Sequence, residues 1–114
     1  MIKNFKMFDN IDKFTEIIKS EIKLSEEKFK LKIEPEDQEK EIDIIIKTFG
    51  EYDFSNGISS EIYQKLFNEI VTKVNKLLDK QLNYYFCNTP EGETKTRYNC
   101  HLHSVIFRLF ILLQ

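Results

Sequence analysis

Ile62, Leu66, Phe67, Ile70, Val74, Leu77, Leu78 and Leu82 follow one another at three- and four-residue intervals, with no glycine or proline between them. A strand repeats every two residues and a helix every 3.6, so only a helix gathers these side chains on one face. With Ser59 or Ser60 as cap, the spacing predicts a helix over 59–86, about 40 Å long. A rod of that length belongs at the centre of a helical bundle or in a helix-mediated dimer.

The rest of the chain agrees with this. Asp9 or Asn10 can cap a first helix over about 10–32, with Asp12 in its first turn. Its apolar stripe is Ile11, Phe14, Ile18, Ile22 and Phe29, although the alternation from Phe29 to Ile33 also suits a short strand. Pro35 suits the first position of a helix over 35–49, which carries Ile42, Ile45, Ile46 and Phe49 and meets a C-cap candidate in Gly50. Residues 50–58 and 88–96 read as loops, the second around Pro90-Glu91-Gly92. The Tyr- and Thr-containing flanks of that second loop are also compatible with a short β-hairpin around 84–98. The last helix, 97–113, is apolar over most of its circumference and should be the most buried. The expectation is an all-α fold: a four-helix antiparallel bundle, with residues 1–114 as a single helical domain.

Composition excludes several classes. At 114 residues, 13.7 kDa, 41% hydrophobic and 32% charged, the chain is too apolar for a disordered one and large enough for one core. The most apolar stretch, Val105–Leu113, is nine residues interrupted by Arg108, against the ~20 a membrane span needs. No secretory h-region follows Met1, and Cys87 and Cys100 form no disulfide framework, so a reduced cytoplasmic setting is expected. Alanine and tryptophan are absent and lysine outnumbers arginine 15 to 2, a bias that points to an AT-rich gene.

Charge is unevenly spread. The net charge is -2, but residues 33–70 hold 10 acidic and 3 basic side chains between two mildly basic flanks. Glu34, Glu36, Asp37, Glu39, Glu41 and Asp43 form a run, followed by Glu51 and Asp53. This is either a solvated helix face or a patch complementary to a basic partner. In the second reading Glu36, Asp37, Glu39, Asp43, Glu51 and Asp53 are the contact charges, with Tyr52 and Phe54 as aromatic anchors. That reading gives a small inhibitor of the immunity, antitoxin or anti-defence kind, blocking a basic nuclease-type partner. It needs no cofactor and no metal, and it involves no membrane and no direct nucleic acid. The third and fourth helices are also compatible with a homodimer.

The final helix carries the one polar stripe on an apolar element. Arg97, His101, Ser104 and Arg108 project within about 60° of one another, as a solvated face or as a phosphate-handling surface. Arg97 and His103 also have the spacing Arg, five residues, His. This resembles the R-x(4–6)-H signature of HEPN-type ribonucleases, which are small helical bundles. The resemblance implies metal-independent RNA cleavage by Arg97 with His103, or with His101. In a regular helix, however, His103 lies about 120° from Arg97. Cys87, Cys100, His101 and His103 are zinc-type ligands, but no C-x2-C pair is present and their spacing splays them around a helix. The loop Asp53–Gly57 fails as a calcium loop, because aligning Gly57 with the required glycine puts Tyr52 and Tyr63 at ligand positions.

Overall fold

A computed structural model describes residues 11–30, 32–54, 56–79 and 93–113, with the side chains of the last segment described from Tyr98 to Leu112. Among the described residues four helices are laid out in the order α1 (Ile11–Phe29), α2 (Pro35–Glu51), α3 (Ser60–Leu77) and α4 (Glu93–Leu113). No strand occurs among the described residues. Contacts run from α1 to α2, α2 to α3, α3 to α4 and from α4 back to α1, closing a ring. Neighbours run in opposite directions. Phe14 near the start of α1 meets Phe49 near the end of α2, and Phe29 at the end of α1 meets Tyr98 early in α4. Tyr63, early in α3, meets Phe110 near the end of α4, while Asn75 bonds Asn99 at the opposite end. The antiparallel four-helix bundle expected from periodicity is the architecture found.

Each helix turns one stripe inward. Phe14, Ile18 and Ile22 of α1, Ile42, Ile45 and Phe49 of α2, and Leu66, Ile70 and Val74 of α3 surround α4. The α4 contribution is Tyr98, Leu102, Val105, Ile106, Leu109 and Phe110, more than from any other helix. Ile33, Phe54 and Leu78 close the core from the connections.

Several boundaries differ from the sequence reading. The first helix stops at Phe29 rather than 32 because Lys30 takes a left-handed conformation, φ 55°, which turns the chain. No strand follows; the Ile33 N–H instead donates to Glu26 Oε2 at 2.8 Å. Gly50 does not cap α2 but lies within it. The helix ends at Glu51 when Tyr52 becomes extended, its N–H donating to the Phe49 carbonyl at 3.3 Å.

The third helix was expected to run to Phe86 but ends at Leu77. Leu78 leaves helical geometry at φ -96°, ψ 9° and is buried as the capping residue of α3, so its inward phase marks the cap and not a further helical turn. Residues 80–92, which include the rest of that expected rod, lie outside the described residues. The hairpin around 84–98 is overturned on its second arm: α4 begins at Glu93, so residues 94–98 are helical. Burial explains this, because Tyr98 shares the inward stripe of Leu102, Val105 and Leu109. The first arm, 84–88, lies outside the described residues.

Candidate functional site

Pro35 opens α2 and places Glu36 and Asp37 in its first turn, where the helix dipole favours carboxylates. Glu36 is exposed and pairs with Lys40 at 3.4 Å. Asp37 is half-buried. Glu39 and Asp43 are exposed and line a groove between α1 and α2, together with Ile11, Thr15, Lys19, Ile42 and Ile46. The isoleucines make an apolar floor, the two carboxylates stand on the α2 side and Lys19 on the α1 side.

Glu51 and Asp53 do not join this group. Fifteen residues of helix separate Glu36 from Glu51, about 22 Å. At that far end Lys73 bonds Glu69 at 2.9 Å, and the Tyr52 hydroxyl donates to Glu69 Oε1 at 3.1 Å. The Lys73 hydrogen bond holds the Glu69 carboxyl below its usual range. Tyr52 is half-buried and stacked on Phe54. Phe54 is 2% exposed, packed 5.3 Å from the Phe110 ring and 6.2 Å from Phe49. It is a core residue, and the role of exposed anchor expected for it is not open to it.

Glu41, read in the sequence as one of the acidic run, is buried. The Tyr98 hydroxyl donates to both of its carboxyl oxygens, at 2.8 and 3.1 Å. Burial pushes its pKa up to about 7, and the Tyr98 hydrogen bond only partly opposes that shift. Burial likewise holds the Tyr98 phenol well above its ordinary range. A signal for Glu41 was present: it stands four residues before Ile45 and seven before Thr48, on the inward stripe.

On α4 the polar stripe divides: His101 and Arg108 reach toward Glu21 of α1, while Ser104 stays exposed and Arg108 remains half-exposed. Arg108 donates to the Glu21 carboxylate, and His101 Nδ1 lies 3.8 Å from the other Glu21 oxygen. His101 packs against Phe29 and Tyr98, and its Nε2 has no hydrogen-bond partner. Burial lowers its pKa against the opposing pull of Glu21, which leaves the imidazole neutral at pH 7. The charge pattern does not single out Glu21, yet it sits three residues after Ile18 and seven after Phe14, on the core side of α1. The Arg97 side chain lies outside the described residues.

His103 occupies the other flank of α4, about 200° round the helix from His101. It is exposed, hydrogen-bonded to the Tyr63 hydroxyl, with its ring 4.6 Å from Phe67. The two histidines therefore do not share a site. Cys100 is a free, exposed thiol, and Cys87 lies outside the described residues. Among the described residues no group of three or more His, Cys, Asp or Glu is placed to hold a metal, and no helix is long and apolar enough to cross a membrane. Compared with known proteins, the chain matches no family model, no curated sequence and no solved structure.

Proposed function

We propose that the protein is a binding module that holds a basic segment of another protein in the α1–α2 groove. The observation that carries this reading is the floor of Ile11, Ile42 and Ile46 beside the exposed carboxylates of Glu39 and Asp43. An apolar floor accepts an aliphatic or aromatic side chain. Two carboxylates one helical turn apart attract the lysines or arginines that flank it and speed encounter more than they tighten binding. Lys19 on the opposite wall disfavours the reversed orientation. Glu36, one turn further along α2, extends the acidic edge.

Within that reading, an inhibitor of the immunity or antitoxin kind is the form that small size and an acidic edge support. The cations with which a nuclease holds nucleic acid are the complement such an edge would cover. The test compares wild type with Glu36→Lys, Glu39→Lys, Asp43→Lys in one chain, each immobilised and exposed to source-cell lysate at low and moderate salt. One basic protein retained stoichiometrically by wild type and lost from the triple variant is expected. With the purified pair, association should slow at least tenfold in the variant and lose its salt dependence. Equal retention by both forms overturns the proposal. So does growth arrest by the chain expressed alone and relieved by Arg97→Ala, which is the behaviour of a ribonuclease.

A further inference from the structure

Cys100, Ser104, Phe107 and Ile111 are all exposed on α4, spaced four, three and four residues apart. At 100° per residue they fall within about 60° of one another, on the face pointing away from the core. Phe107 is 57% and Ile111 59% exposed, the two largest exposures among the described large apolar side chains. Phe107 stands between two hollows. One is lined with Cys100, His103, Ser104 and Arg108, the other with Ile58, Tyr63, Phe110 and Ile111. A projecting ring with a hollow on either side, on a helix with seam spacing, is a surface able to complement itself.

We infer that α4 is the contact of a symmetric, antiparallel dimer with a second copy of this chain. The order of the four residues fixes the register. An antiparallel pairing centred between Val105 and Ile106 sets Phe107 against Ser104 of the other copy and Ile111 against Cys100. Each large side chain then meets a small one, so a knob faces a space that receives it. A parallel pairing sets Phe107 on Phe107 and Cys100 on Cys100, leaving one crowded layer and one empty one.

The rim does not oppose the contact. On each copy the half-exposed Arg108 is already paired with the buried Glu21, so it brings no unpaired charge to the flanks that the two-fold axis lays side by side.

The size of the contact sets its strength. A strip as long as α4, about 31 Å, and one helix diameter wide covers roughly 300 Å² per copy. A standard stable interface covers about 800 Å² per partner, so this dimer belongs to the weak, reversible class. None of the α1–α2 groove residues is used, so this inference and the proposed function stand or fall separately.

Sedimentation equilibrium of the full chain, from micromolar to near-millimolar concentration under reducing conditions, gives the first readout. The mean mass should rise from 13.7 kDa toward twice that value. Phe107→Glu should raise the dissociation constant at least tenfold with the circular dichroism spectrum unchanged. Register is read by mild copper-phenanthroline oxidation of the Cys87→Ser chain with and without Ile111→Cys. Eleven helical residues keep Cys100 and the introduced thiol of one chain about 16 Å apart, too far to bond within a copy. A covalent dimer linking Cys100 of one copy to the introduced thiol of the other is expected. A single-chain mass at every concentration overturns the dimer. Cys100 bonded to Cys100 in preference overturns the antiparallel register.

Discussion

Glu41 carries a carboxyl into the middle of the bundle, and its protonation is the residue-scale property with the clearest consequence. Its ordinary pKa is 4.5 and its folded value about 7. Between those values the folded chain keeps a proton that the unfolded chain has lost. The contribution of Glu41 to stability is therefore full below about pH 4.5, falls as pH rises toward about 7, and levels off above. At ~1.4 kcal/mol per pKa unit, the fall amounts to a few kcal/mol at most. Glu41→Gln is neutral at every pH and still accepts from the Tyr98 hydroxyl. Thermal unfolding followed from about pH 5 to about pH 7.5 should show the wild-type midpoint dropping relative to this variant; parallel profiles would remove Glu41 as the cause. In the sequence Glu41 is one acid among six, and charge alone assigns it to solvent. Its position on the helical wheel assigns it to the core, as it does for Glu21 on α1. Phe54 departs from expectation in the other direction. A loop aromatic beside acids looks like an anchor, and nothing local to it says that Phe49 and Phe110 wait across the bundle. Residue-scale errors of this kind arise because burial is decided by partners distant in the chain.

At the scale of elements, periodicity located all four helices and left their ends to chemistry that propensity reads poorly. Pro35 marks the start of α2, and the Ser59 hydroxyl accepts from the Ile62 N–H at the start of α3, both legible in advance. The C-termini were harder. Gly50 suggests a cap and is helical, whereas Lys30, with no such signal, takes the left-handed turn. A lysine there sets its Cβ against the backbone, a strain of about 1 kcal/mol that glycine does not suffer. Lys30→Gly should stabilise the bundle by about 0.5–1 kcal/mol despite the looser unfolded chain, while Lys30→Ala should give no gain. Urea unfolding of the three proteins measures this, and a glycine variant no more stable than wild type would show that the turn is unstrained. Leu78 shows the remaining difficulty: an apolar residue in phase with a helix can be buried as that helix's cap, so its phase alone does not say that the helix continues through it.

In the whole molecule, α1, α2, α4 and the α2–α3 connection meet at one ring. Phe49 packs edge-on to Phe14 at 5.5 Å, lies 5.1 Å from Phe110 and 6.2 Å from Phe54. No other phenylalanine touches both α1 and α4 from α2, so the ring of helices is closed through its centre as well as round its edge. Truncating a buried phenylalanine costs about 3–5 kcal/mol, against the ~5–15 kcal/mol by which a domain is stable. Phe49→Ala should therefore lose a large part of the bundle's stability, and the loss should be cooperative because one cavity weakens three helices and the connection together. Phe107 tests the opposite case. More than half exposed, it leaves no cavity when cut back, and Phe107→Ala should stay within about 0.5 kcal/mol of wild type as a monomer. Urea unfolding of dilute protein separates the two, with circular dichroism and aromatic absorbance as coincident probes. If Phe49→Ala instead melted in two steps, the helices would be holding in pairs, and the bundle would not be the single cooperative unit that its shared aromatic centre implies.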